Sequence, residues 1–194
     1  MILTNLKPQV KGTSLVNARK YIISELGDTR YRQLCNDHKF PGLILSSSWY
    51  DMSTYVKLCQ TAAKLMGMNI HDFMVGLGRY ILEVDLNGVY RFFMKARGTE
   101  AVLSKVPKMM SSYTDYWSGE IIEIANNSMI INYQFPAHFK DESELMKFHL
   151  AGGEGALQGI LNVCGSPMIS FDVVNTYQLG EYYINVIRVT FMHD

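Results

Sequence analysis

Near residue 118 the spacing of apolar side chains changes, and that change limits the folds open to this chain. Before it, apolar residues recur every third or fourth position, the period of an amphipathic helix. Leu15, Val16, Ala18, Ile22, Ile23 and Leu26 form one such set, and Gly27 stands where a helix C-cap belongs. Asp28 is placed to cap a short second helix through Tyr31, Leu34 and Cys35, before Pro41-Gly42 breaks the pattern. Asp51 or Ser53 then caps a helix whose apolar face is Tyr55, Leu58, Cys59, Ala62, Leu65 and Met66, ended by Gly67. Asn69 opens a helix carrying Ile70, Phe73, Met74, Leu77 and Ile81. Asp85 opens another through Val89, Tyr90, Phe93 and Met94. After Gly98-Thr99, a stripe runs through Val102, Leu103, Val106, Met109, Met110 and Tyr113. Pro107 falls inside it. Proline lacks a backbone donor and clashes with the carbonyl four residues back, so a kink or break is predicted there.

Beyond residue 118 the segments are short, β-branched and partly alternating. Glu120 to Ala125 and Ser128 to Phe135 flank Asn126-Asn127, and asparagine tolerates positive φ, so the pair reads as a β-hairpin. Asp141 with Glu144 three residues later resembles a capping box, and the long helix it opens carries Leu145, Phe148, Leu157, Ile160 and Leu161. Two more strands follow, Met168 to Val174 and Tyr182 to Phe191, with Gly180 in the turn. The predicted class is α+β: an N-terminal helical part over 1–117 and an antiparallel β-β-α-β-β unit over 118–194, together one domain spanning 1–194.

The chemistry carried by these residues is sparse. The 18 basic and 18 acidic residues cancel, which leaves no electrostatic footprint for nucleic acid. No stretch approaches the roughly 20 apolar residues of a membrane span, and the N-terminus has no apolar run of signal-peptide length. The three cysteines, Cys35, Cys59 and Cys164, form neither a metal nor a disulfide pattern, so a reducing cytoplasm is the expected setting. No nucleophile elbow, phosphate loop or zinc-protease motif is present. Gly76-Leu77-Gly78 lacks the third glycine of a dinucleotide loop and lies within a helix. None of the five histidines lies within four residues of another, so no metal site and no catalytic set is expected. His149, beside the apolar stripe of the long helix, reads as a satisfied core histidine, with a ligand role as the open alternative.

Two features point to a contact surface or a pocket. Gly152, Gly155 or Ala156, and Gly159 recur along one side of the long helix. Each glycine costs a helix about 1 kcal/mol relative to alanine, so something must approach closely: the face of the sheet, or a ligand between helix and sheet. Tyr113, Tyr116 and Trp117 gather where helices meet sheet, as a hydrophobic seam or a pocket wall. Twelve methionines suit an adaptable interior, whether as gap filling or around a ligand.

Several of these stretches together resemble a known family. Lys11-Gly12-Thr13 before a helix looks like the start of haem-NO-binding (H-NOX-like) domains, and helices followed by β-β-α-β-β match that order. Trp49-Tyr50-Asp51 onwards to Ala62-Ala63-Lys64-Leu65-Met66-Gly67 is similar to an uncharacterised bacterial paralogous family related to those domains. So are Leu77-Gly78-Arg79, Pro107 with the aromatic run to Trp117-Ser118-Gly119-Glu120, and Gly155 with Gly159-Ile160-Leu161. The wider group includes vinyl-reductase-type ligand-binding domains.

The resemblance implies an apolar pocket between helices and sheet. It also implies a haem ligand, a histidine on the helix before the hairpin, and a Tyr-x-Ser-x-Arg clamp for the propionates. Here Glu100 to Tyr113 contains no histidine, and Tyr133-Gln134-Phe135-Pro136-Ala137 has neither the serine nor the arginine. Haem is therefore not expected, nor any other cofactor. The expected function is a non-haem ligand-binding or sensory module, with a small apolar ligand contacting Met109, Met110, Tyr113 and Trp117. The alternative is a protein–protein interaction or dimerisation module with a collapsed pocket, whose partner is a second copy or a signalling protein. An enzyme is the least favoured reading.

Overall fold

The computed structural model describes residues 7–86, 98–125, 127–137 and 143–192. Its helical part contains α1 (Gly12–Leu26), α2 (Asp28–His38), α3 (Met52–Met66), α4 (Ile70–Leu86), α5 (Thr99–Leu103) and α6 (Val106–Met110). The long helix α7 (Ser143–Cys164) lies between two hairpins in sequence, β3 (Ser118–Ala125) with β4 (Ser128–Pro136), and β5 (Met168–Leu179) with β6 (Tyr182–Phe191). The α+β class and the β-β-α-β-β order are those the sequence predicts.

Helix ends follow local chemistry. Asp51 caps α3, its carboxylate accepting from the Ser53 N–H at 2.8 Å. Asn69 caps α4 reciprocally: Asp72 N–H donates to Asn69 Oδ1 at 2.9 Å, and Asn69 Nδ2 donates to Asp72 Oδ2 at 2.6 Å. Gly27, not Asp28, is the cap residue of α2, and it also closes α1. Asp28 is the first helical residue and pairs with Arg32 at 2.7 Å. The predicted break in the 102–113 stripe falls at Ser104–Lys105, and Pro107 sits in the first turn of α6. There the missing N–H would have had no helical acceptor.

Asp85 opens no new helix, since α4 runs on to Leu86. The helix expected over Val89, Tyr90, Phe93 and Met94 lies outside the described residues. So do Asn126, Asp141, His138 and His193. Two short strands, β1 (Gln9–Lys11) and β2 (Trp49–Asp51), pair antiparallel inside the region whose periodicity reads as helical. Three residues are too few for alternation to register.

The main sheet has the order β3-β4-β6-β5, antiparallel throughout. Its core face carries Met129, Ile131, Tyr133 and Phe135 from β4, with Ile187, Val189 and Phe191 from β6, all buried. Asn127, at φ 68°, makes the turn between β3 and β4. β5 extends beyond its expected end at Val174 to Leu179, and every residue from 172 to 182 is exposed. That hairpin end projects past the core, so burial does not impose the alternation by which a strand is recognised.

The glycines of α7 meet a helix rather than the sheet. A methyl group on Gly155 would run into the Val75 backbone carbonyl, and one on Gly78 into that of Gly152. Gly159 faces the Arg79 carbonyl in the same way. α4 and α7 therefore lie backbone against backbone, running in the same direction. His71 Nε2 and Glu154 Oε2 approach to 3.4 Å near the start of the seam, and Asn162 Nδ2 donates to Glu83 Oε1 at 3.2 Å near its end. Gly153 alone faces the sheet, against the Tyr133 ring. The close approach expected of these glycines is present; its main partner is α4.

Candidate functional site

A cavity of about 100 Å³ lies between α1, α4, α7 and the link from α6 to β3. The link is held from both sides. Val10 of β1 bridges Thr114, Lys11 N–H donates to the Tyr113 carbonyl at 2.8 Å, and Gln9 N–H donates to Asp115 Oδ1 at 2.9 Å. Trp117 then stacks on Phe135 (ring centroids 5.8 Å apart, 19° between planes) and packs on Tyr133 at 4.9 Å. The strand pairing and the aromatic stack fix the direction of the side chains between them. Met109, Met110, Tyr113 and Trp117, the residues singled out from the sequence, all line this cavity.

His149 lines it too, from α7. The side chain is buried, and its Nε2 shares a hydrogen bond with the Tyr116 hydroxyl. Tyr116, Phe148, Phe135 and Trp117 surround the imidazole with ring centroids between 5.1 and 6.3 Å away. Such a setting gives water no access to a charge. Burial pulls the imidazole from its ordinary value of 6.5 down to about 3, so it is neutral at physiological pH. A neutral imidazole is both a hydrogen-bonding group and a metal ligand. Its reading as a satisfied core histidine is correct as far as it goes: Tyr116 satisfies it. The sequence signal for the pair was the aromatic run 113–117, whose nearness to His149 only the fold supplies.

Other polar groups near it have no partner. Thr114 Oγ1 and the indole Nε1 of Trp117 are buried without a hydrogen bond, as are Tyr133 Oη and Asn185 Nδ2. Asn185 faces Tyr133 across the β4–β6 pair. Native interiors contain few such groups, and each calls for an explanation, an ordered water or a bound group among them. Among the described residues no group of three or more His, Cys, Asp or Glu side chains could hold a metal ion. The Cys59 thiol is fully buried, which pushes its pKa upward. Burial also raises Cys164, to about 11, so neither is poised as a nucleophile. A larger groove of about 690 Å³ opens on the far side of Phe148, between the starts of α3, α4 and α7. Its polar groups sit on an open rim, and none of them is among the buried unpartnered atoms.

The fold is that of H-NOX domains. An oxygen-binding H-NOX domain related to soluble guanylate cyclases superposes with a TM-score of 0.70 at 12% identity, covering 94% of this chain and 95% of that one. A T. Tengcongensis H-NOX mutant gives 0.71 at 11% identity over 94% and 98% of the two chains. An S. oneidensis H-NOX protein in the Fe(II) ligation state gives 0.69 at 14% identity over 95% and 97%. No family model matches the sequence, and no curated protein matches it. No helix among the described residues is long and apolar enough to cross a membrane.

These matches correct the expectation that the chain holds no cofactor. Two further matched structures concern haem distortion in the H-NOX family and the tuning of haem redox potential through porphyrin distortion. Haem is thus the group this fold implies. Missing motif residues at 100–113 and after Tyr133 do not exclude it, because an iron ligand can come from any element that reaches the cavity. Here α7 supplies a neutral imidazole, the chemistry of an iron ligand, but a cavity of about 100 Å³ would have to open widely to admit haem, and among the described residues its lining holds no lysine or arginine for the propionates. His149 is the residue that would hold the metal. Met109 and Met110 are the flexible part of the wall.

Proposed function

We propose that residues 1–194 form one ligand-sensing domain of H-NOX architecture, whose ligand occupies the cavity beneath His149. The observation that carries this reading is the buried, neutral His149–Tyr116 pair on a cavity wall that also holds unpartnered donors. Met109, Met110, Tyr113 and Trp117 would contact the ligand. When bound, haem would supply an iron centre for small gas molecules; the chain's own contribution is to exclude water and to bring His149 to the cavity wall, where Nε2 would exchange its Tyr116 hydrogen bond for the metal. The domain is read as one that binds rather than catalyses, in keeping with the oxygen-binding H-NOX domain whose fold it shares. The Trp49 to Gly67 stretch is the part of the chain that supports kinship with uncharacterised bacterial paralogues of these domains.

The test is a titration of the purified chain with hemin and, separately, with xenon, which enters small apolar cavities. The Soret band and the indole N–H resonance of Trp117 are the readouts. The resonance should move in at least one titration, and His149→Ala should remove the Soret response to hemin. A Trp117 resonance that moves in neither overturns the reading.

A second reading, association with another copy, is favoured by the β5 edge. Val173, Val174, Tyr177 and Leu179 are exposed along it, and Asp172 is its only charged residue. Edge strands are usually protected by charge, proline or bulges; β5 has no proline and a single charge, and its register shifts at Met168/Ser170 and Val173/Asn175 leave Tyr177 to Leu179 regular. Light scattering during size-exclusion chromatography should show a dimer that Val174→Lys reduces to a monomer. A monomer at all concentrations removes this reading.

A further inference from the structure

We infer that the loop joining α2 to β2, residues 39–48 with Trp49 at its end, docks on an anionic phospholipid bilayer and seats Leu43 and Leu45 in its interface.

The side chains come first. Leu43 is 77% exposed, the most exposed large apolar side chain among the described residues, and Leu45 and Trp49 follow at 53% and 41%. Ile44, between the two leucines, is partly buried and packs on the core, as does Phe40. Burial thus alternates through 43–45, which puts Leu43 and Leu45 on the outward side. A methyl group on Gly42 would meet nothing within 4 Å, so the loop stands clear of the body there. A single exposed leucine is ordinary; two on the outward side of one short loop, with a tryptophan at its end, mark a contact surface.

The backbone around Leu45 is already satisfied. Gly12 N–H donates to the Ser48 carbonyl at 2.8 Å, and Thr13 donates to the Ser46 carbonyl through both N–H and Oγ1 at 3.1 Å. Ser48 N–H donates to the Leu45 carbonyl at 3.1 Å, and Leu45 N–H donates to the Tyr50 hydroxyl at 2.8 Å. The loop therefore caps the start of α1, and its shape is set before docking. Its paired backbone groups also need no water on entering an apolar layer, where an unpaired group is costly.

Charge selects the surface. Lys11 lies opposite Trp49 in the β1–β2 pair with Nζ 4.6 Å from the ring centroid, and Lys57 Nζ lies 6.0 Å from the Phe40 ring. Lys39 opens the loop. Among the described residues none of these lysines is in an ion pair. Residues 38–50 contain no aspartate or glutamate. Of the flanking acids, Asp51 is engaged as the cap of α3, and Asp37 lies in the last turn of α2. An apolar tip flanked by unpaired lysines and a tryptophan complements anionic lipid: leucines enter the acyl boundary, the indole sits at the interface, and the lysines reach the headgroups. A protruding tip also suits a deformable surface better than a second folded chain, which would have to offer a matching hollow.

The experiment co-sediments the full chain with vesicles of phosphatidylcholine alone, or with roughly one-third phosphatidylserine, and follows tryptophan emission. The chain should bind the anionic vesicles about tenfold or more tightly than the neutral ones, and binding should weaken between about 0.1 and about 0.5 M salt. Emission should shift to shorter wavelength, and Trp49→Phe should abolish the shift, because Trp117 is already packed on Phe135 and Tyr133. Leu43→Ser and Leu45→Ser should each lower partitioning about tenfold, and Lys39→Glu about fivefold or more. All three positions are exposed, so urea denaturation curves should overlay that of the parent chain.

The failures are distinct. No sedimentation with anionic vesicles overturns the inference. Binding that both leucine variants retain in full places the contact elsewhere on the chain and overturns it too. Equal binding to neutral and anionic vesicles refutes the charge argument. A dimer seen by light scattering that Leu43→Ser dissociates, without vesicle binding, assigns the loop to a second copy instead.

Discussion

Lowering the pH from 7 towards 4 puts a proton on this chain's unfolded histidines well before it reaches His149 in the fold. The folded imidazole titrates near 3, against an ordinary value of 6.5. Between those values the unfolded state binds the extra proton and the folded state does not. Stability therefore rises with pH across the window and falls on acidification, with a slope that approaches about 1.4 kcal/mol per pH unit. From pH 6 to pH 4 the loss from this one residue is of order 2–3 kcal/mol, a large part of the roughly 5–15 kcal/mol that holds a domain folded. Carboxylates titrate in the same range, so the effect is isolated by difference from His149→Gln, which cannot ionise. At pH 7 the variant should be less stable by about 1 kcal/mol, through loss of the Tyr116 hydrogen bond. On acidification the gap should close, and the variant should become the more stable protein at about pH 5 to 6. Urea denaturation at matched ionic strength, from pH 7 to pH 4, measures both curves. If they stay parallel between pH 6 and pH 4, His149 is not buried as a neutral group and the site chemistry built on it fails.

Three other outcomes follow from geometry. Gly155→Ala drives a methyl group into the Val75 backbone and should cost about 1–3 kcal/mol or more in thermal unfolding, whereas Gly42→Ala, with open space around it, should be nearly neutral. Asn69→Ala removes the α4 cap and should cost about 0.5–2 kcal/mol by denaturant titration. Cys59 is fully buried, and Cys35 and Cys164 only partly so, which predicts that a thiol reagent labels Cys59 in the native protein far more slowly than either of the others.

The periodicity of 12–86 and of 128–136 was enough to locate the helices and the central strand, because each has one face in the core and one in water. The caps at Asp51 and Asn69 were legible for the same local reason: their hydrogen bonds close within three residues. β1 and β2 were not, since three-residue strands owe their existence to each other across about forty residues of chain rather than to their own pattern. The site divides along the same line. The run from Met109 to Trp117 could be marked as a wall because its aromatics and methionines are contiguous. His149 is 32 residues further on, and nothing local ties it to Tyr116. Expecting no haem was an error of that kind, in which an absent motif in one segment was taken to speak for residues that arrive from another. The α7 glycines show the reverse: close approach was written in the sequence, but the identity of the approaching helix was not.

The seam between α4 and α7 has a mechanical consequence. Two parallel helices in carbonyl-to-glycine contact, pinned near both ends by His71–Glu154 and Glu83–Asn162, cannot slip or roll against each other without steric collision. They behave as one stiff spar. The cavity has this spar as one wall and the 111–117 link, tied to β1 and leading into β3, as the other. Any change in the cavity's shape has to come from side chains or from loosening the link's ties to those two strands, since the spar cannot yield.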